Sequence, residues 1–137
     1  MTDPTELAYF VDRFMRRIHS GLHQRAVAVD TERVGQFGGL ILMALAEMEP
    51  VSMQALVTHM ARDKSQITRV INSLESKGYV ASTGHPEDKR VRLLRLTEKG
   101  HDLVREFTHI LGDVIGGLTK SLSASEKQHL LALLRKI

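Results

Sequence analysis

Apolar residues recur at helical spacing through most of the chain. Phe10, Phe14, Ile18, Leu22 and Val29, with Leu7 and Val11 beside them, predict a long first helix from Glu6 to about Val29. Gly21 interrupts it at a cost of about 1 kcal/mol against alanine. Asp30 to Gly35 reads as a connector. Val34, Phe37, Leu40, Ile41, Leu45 and Met48 predict a second amphipathic helix that stops near Pro50. Gly38 and Gly39 inside it are poor helix formers, and such glycines mark close packing by a neighbour.

Ser52 is a good N-cap for a short third helix, with Leu56, Val57 and Met60 on its inward face. Asp63 is the next cap, and Gln66 three residues later suggests a capping box. The fourth helix should run to Lys77 and end at Gly78, a suitable left-handed residue. The period then changes. Tyr79–Thr83 and Val91–Leu96 fit two strands, although Leu93 and Leu94 break the alternation of the second. Gly84, His85 and Pro86 supply turn chemistry, so the pair reads as a hairpin with a long charged tip. Thr97 caps a fifth helix that carries Leu103, Val104, Phe107, Ile110, Leu111, Val114, Ile115, Leu118 and Leu122, about seven turns. Ser123–Glu126 is an S-x-x-E capping box that opens a last helix with Leu130, Leu133, Leu134 and Ile137.

The expected fold is mainly α with a small β-hairpin wing, a winged helix-turn-helix with flanking N- and C-terminal dimerisation helices. At 137 residues one domain is expected. The winged lobe would lie at about 34–100 and the dimerisation helices at 5–29 and 97–137. Those outer helices carry more apolar surface than a small wing unit can cover. Phe10, Phe14, Leu118, Leu122, Leu130, Leu133, Leu134 and Ile137 are therefore the candidate dimer face.

Net charge is +3, but its distribution says more than its size. Ser52–Gly100 holds nine Lys/Arg against five Asp/Glu, while the other 88 residues hold ten against eleven. A local basic surface is what a polyanion would meet. On the fourth helix, Ile67, Val70, Ile71 and Leu74 fall within about 100° of one another and must face a core. The opposite face carries Ser65, Arg69, Asn72 and Ser76, flanked by Gln66, Thr68 and Ser73, with Glu75 to one side. Hydroxyls, amides and a guanidinium are the groups that read base edges in a major groove. Lys64, Ser65, Gln66, Thr68 and Arg69 lie at the helix start, the part that enters the groove. Lys89, Arg90 and Arg92 on the wing can reach the DNA backbone or the minor groove. Asp88 fits a brace that holds Arg90 or Arg92 extended.

At these residues the chain resembles the MarR family of winged-helix transcriptional regulators. The resemblance is carried by QFGGL at 36–40, SQITRVINSLESKGYV at 65–80 and PEDKRVRLLRLTEKG at 86–100. The last joins a D-x-R wing tip to an L-T-E-K-G helix start. The resemblance implies a dimer whose outer helices interlock and whose recognition helices enter successive major grooves of double-stranded DNA. It implies base and phosphate contacts by Ser65, Gln66, Thr68 and Arg69, and a wing contact by Arg90 with Asp88 as brace. It also implies control by a small-molecule effector. Arg16, Arg17, His19 and His23 could meet an anion, but no residue is assigned to a ligand.

The expected function is a sequence-specific regulator, a dimeric repressor of a pseudo-palindromic operator released by an effector. The alternative is a winged-helix protein-interaction module that does not bind DNA. No catalytic motif is present, and no enzyme is expected. With no cysteine, thiolate metal sites and thiol sensing are excluded. His19 and His23 sit one turn apart but are two ligands only, so neither a metal nor a cofactor is expected. No apolar run approaches the ~18 residues of a membrane helix. MTDPTELAYF lacks signal-peptide features, so the expected address is the cytoplasm.

Overall fold

The computed structural model describes the backbone of residues 2–29 and 33–137 and the side chains of 2–25 and 33–137. The elements run α1 (Pro4–Val29), α2 (Gly35–Met48), β1 (Val51–Ser52), α3 (Met53–Met60), α4 (Lys64–Ser76), β2 (Val80–Gly84), β3 (Arg92–Leu96), α5 (Glu98–Leu118) and α6 (Ala124–Leu134). The side chain of Val29 and the expected connector residues 30–32 lie outside the described residues. Two compact units result. One joins the N-terminal segment up to Arg25 with Ile110–Ile137, and the other is Ala26–His109.

The second unit holds the wing. Its core is built on Ile41, Leu42, Leu45, Leu56, Ile67, Ile71, Leu74, Val80 and Leu94, all but fully buried. Val57, Met60, Val70, Leu103 and Val104 pack against it partly covered. The first turns of α5 therefore belong to this unit. Gly39 explains one of the predicted close approaches. A Cβ there would stand 2.7 Å from the Phe107 ring, so only glycine lets α2 take that aromatic against its backbone.

The expected two-stranded hairpin is a three-stranded antiparallel sheet of order β1-β3-β2. Val51 pairs with Leu94 and Ser52 with Leu93, two residues too few for a sequence period to register. The sheet also explains the Leu93–Leu94 break. Leu94 and Leu96 turn into the core, while Leu93 lies on the other face beside its partners Ser52 and Thr83. The strands start one residue later than expected, at Val80 and Arg92.

Caps define the helix ends. Ser52 Oγ accepts from Ala55 N at 3.1 Å. The expected capping box at Asp63 and Gln66 is not formed as such, because Asp63 Oδ1 accepts instead from Ser65 N at 3.1 Å, one residue earlier. At the other end of α4, Gly78 N donates to Glu75 O and Tyr79 N to Leu74 O. This is the Schellman pairing, with Gly78 at φ +85°. Thr97 Oγ1 donates to Gly78 O and accepts from Gly100 N, tying the start of α5 to the end of α4. Ala61, between α3 and α4, takes the left-handed conformation at φ +51° without being glycine.

In the other unit, α1 runs unbroken through Gly21. A Cβ on Gly21 would lie 2.7 Å from Val114 Cγ1, so the residue that weakens the helix lets α5 approach it. Arg25 and Asp113 pair at 3.8 Å in the same contact. α5 stops at Leu118, one turn short of the expected length, and Leu122 falls in the turn that follows. The capping box of α6 forms in full, with Ser123 and Glu126 exchanging bonds of 3.1 and 2.8 Å. α6 ends at Leu134, and Ile137 lies beyond it.

Two substitutions test the backbone geometry. A Cβ on Gly100 would meet the carbonyl oxygen of Tyr79 at 2.1 Å, and backbone cannot step aside. Gly100→Ala should cost about 2 kcal/mol or more in urea unfolding. Ala61→Gly should be neutral or raise stability by up to about 1 kcal/mol, since relief of left-handed strain exceeds the entropy glycine loses.

Candidate nucleic-acid interface

α4 divides cleanly between core and solvent. Ile67, Ile71 and Leu74 are inaccessible, while Lys64, Ser65, Arg69, Asn72, Ser73 and Ser76 are exposed and Gln66 and Thr68 are half-buried beside them. Asp63 caps the helix from outside its first turn, where its carboxylate engages the Ser65 amide and leaves the side chains of the polar face exposed. Among the described residues, neither Lys64 nor Arg69 has an acidic partner. Arg69 also lines an open cleft of about 500 Å³ with Arg33, Gln66, Ser73 and Lys77. Lys77 Nζ donates to Arg33 O at 3.2 Å and Lys99 Nζ to Lys77 O at 2.9 Å, which anchors the C-terminal end of α4.

Between β2 and β3 the wing tip is closed by His85 N donating to Val91 O at 2.9 Å and Val91 N to Asp88 O at 3.0 Å. The sequence left open which arginine Asp88 would brace, and the structure selects Arg90. Arg90 Nε donates to Asp88 Oδ1 at 3.1 Å and Nη2 to Oδ2 at 3.3 Å. Arg90's own backbone N–H also donates to Oδ1, so one carboxylate shapes the turn and aims the side chain. Those bonds, first to the guanidinium and then to the backbone, hold the Asp88 carboxyl below its ordinary value. Arg90 is 91% exposed and projects outward, as does Lys89 beside it.

Arg92 differs from its neighbours. It is half-buried and turns back to α4, where Nη2 donates to Glu75 Oε2 and Nη1 to Asn72 Oδ1 at 3.4 Å. Spacing alone placed Arg92 with the outward cations of the wing. Its position as the first residue of β3, facing the helix, is what removes it from them.

The candidate dimer residues fall in the other unit. Phe10 is 52% exposed, and Leu133, Leu134 and Ile137 are exposed, the last completely. Phe14, Leu118, Leu122 and Leu130 are half-buried. Leu7, Tyr9, Val11, Met15 and Leu131 join the exposed set and were not among the candidate dimer residues. Helical spacing from Phe10 and Leu134 could have found Leu7 and Leu131. Among the described residues no group of three or more His, Asp or Glu side chains could hold a metal ion, and no helix is long and apolar enough to cross a membrane.

Comparison with known proteins gives this geometry a context. Residues 39–91 match the MarR family. The transcriptional repressor MprA of Escherichia coli K12 is 29% identical over 101 residues, covering 74% of this chain and 57% of MprA. The chain thus spans little more than half the length of the curated relatives with which it aligns. Wild-type MarR from E. coli, in its apo form, superposes with a TM-score of 0.80 at 25% identity over 99% of this chain and 96% of that one. Staphylococcus aureus MepR in a complex with DNA superposes with a TM-score of 0.71 at 21% identity, over 94% and 93%. The divided α4, its wing and the helices on either side are like those of this group, and residues 39–91 carry the match to the MarR family.

Proposed function

We propose that the chain is a cytoplasmic, sequence-specific regulator that binds double-stranded DNA as a homodimer and acts as a repressor. One observation carries the reading. The only acidic side chain on α4, Glu75, is occupied by Arg92, so the exposed face of the helix offers cations, hydroxyls and amides alone. Lys64, Ser65, Gln66, Thr68, Arg69 and Asn72 would enter the major groove, while Lys89 and Arg90 reach the flanking backbone or minor groove. MepR, which shares the fold, is seen on DNA, and MprA is a repressor.

The homodimer follows from the exposed apolar side chains of α1 and the C-terminal segment. Each is worth about 1.5–3 kcal/mol when covered, and a twofold partner covers both patches at once. Such a dimer presents two α4 helices to two half-sites. An effector that filled the cleft beside Arg69 would withdraw a cation from DNA and shift the population toward a form that cannot bind.

Selection of bound fragments from random duplexes should return a pseudo-palindrome. Affinity for it should fall steeply with salt, as phosphate contacts release counterions. Arg69→Ala should cost roughly 1–3 kcal/mol if it reads a base, and Arg90→Ala should weaken all sequences alike while lowering the salt slope by about 1. Recovery of no preferred sequence, with affinity indifferent to salt, would favour a protein-interaction module.

The brace gives a pH prediction. A carboxylate held below its ordinary value contributes above that value, and loses its contribution only as pH falls through the lowered one. Asp88→Asn should therefore weaken binding by a constant factor from about pH 5.5 to about pH 8, measured by fluorescence anisotropy. A factor that decayed toward pH 5.5 would contradict the brace.

Leu133→Asp with Leu134→Asp should give a folded monomer by light scattering, because both side chains are exposed within the protomer. A double variant that remained dimeric would place the interface elsewhere.

A further inference from the structure

Arg92 is the one wing cation that does not face outward, and what it holds is a side chain of the exposed face. Asn72 and Glu75 are three residues apart on α4 and so lie side by side. The guanidinium spans them as a planar fork, with one nitrogen on the Glu75 carboxylate and the other on Asn72 Oδ1 at 3.4 Å. Arg92 is set for this by its strand. It is the first residue of β3, opposite Gly84 of β2, which adds no side chain of its own, and Leu94 two residues on is fully buried.

We propose that Arg92 is a positioning residue that determines which base Asn72 reads. The inference rests on the reading of α4 as a base-reading helix. An asparagine amide has one acceptor oxygen and an NH₂ with two donors. Left to itself in a major groove it uses both ends, accepting from N6–H of adenine and donating to N7. Here the oxygen is engaged by a cation, which fixes the amide plane and leaves Asn72, an exposed residue, with its NH₂ as the outward end. Two donors match two neighbouring acceptors. Guanine offers N7 and O6 as such a pair, whereas adenine offers one acceptor beside a donor. The Arg92 fork therefore turns an adenine reader into a guanine reader.

The same geometry separates Arg92 from the phosphate contacts. It is half-buried and turned back onto Glu75 and Asn72, away from any phosphate, so it adds no counterion release. A residue that reached phosphate would add about 0.9 to the salt slope.

The test compares base preference, by selection from random duplexes, for the wild-type protein, Arg92→Met, Arg92→Lys and Asn72→Ala. Arg92→Lys keeps the ion pair with Glu75 but, as a single ammonium, cannot fork to both side chains, so it guards against a Met variant that fails to fold. The expected result is a guanine preference at one position per half-site in the wild type. It should fall by about tenfold toward adenine in both Arg92 variants and be lost in Asn72→Ala. The salt slope should be unchanged in Arg92→Lys and Asn72→Ala, which keep Glu75 paired. An unaltered base preference in either folded Arg92 variant would overturn the proposal and make Arg92 an ordinary contact. A wild-type protein that selects no sequence would instead remove the DNA-binding reading on which it rests.

Discussion

Burial of Ile67, Ile71 and Leu74 fixes the rotation of α4 about its own axis, and every statement about the interface depends on that rotation. The three side chains lie on one side of the helix and are inaccessible in a core shared with Leu42, Leu45, Leu56 and Leu94. Turning the helix by one residue would expose them, at about 1.5–3 kcal/mol each. A domain of this size has a total stability of the same order as that cost. The polar face is therefore held outward by the greasy face being held inward. The cap at Asp63 and the Schellman turn at Gly78 fix where the helix begins and ends.

Three acidic residues near this face are each placed with a task. Asp88 is consumed by Arg90, Glu75 by Arg92, and Asp63 by a backbone amide. A free carboxylate in these positions would repel a phosphate backbone, whereas a paired one costs nothing to the field and adds order to the cation it holds. The result is a basic excess concentrated at Lys64, Arg69, Lys89 and Arg90 rather than spread over the chain. Exposed pairs of this kind contribute little to folding stability. Their effect is to reduce the number of orientations a long side chain must give up on binding.

Helix content, caps and the division of α4 were legible in the sequence because each rests on a local period or on a short-range bond. Ser52, Thr97 and the Ser123–Glu126 box cap as their spacing implied. The glycines were legible only in kind. Gly39 marks close packing, but that Phe107 is the neighbour depends on a contact 68 residues away in the chain. Gly21 weakened the helix signal for a reason visible only with Val114 in place. Strand β1 escaped notice because two residues carry no period and its pairing with β3 is non-local. Arg92 was grouped with Lys89 and Arg90 for the same reason. Charge and spacing show a cation, whereas its partners Asn72 and Glu75 belong to another element.

β3 links these levels. Leu94 and Leu96 seal the core that orients α4, and Arg92, two residues before Leu94, touches the polar face of that same helix. A shift of β3 large enough to free Arg92 would have to drag Leu94 out of a packed interior, which does not deform gradually. The base of the wing is thus rigid with respect to the recognition face, while the tip, with Arg90 91% exposed, is held only by its own turn and brace. Such a division suits the proposed DNA binding, in which bases are read at one place and the backbone is followed at another. Base edges demand a fixed geometry, since a hydrogen bond weakens steeply with misalignment. Phosphates demand only that a charge arrive nearby, and an arginine held outward on a short stalk does that on a duplex of any local shape.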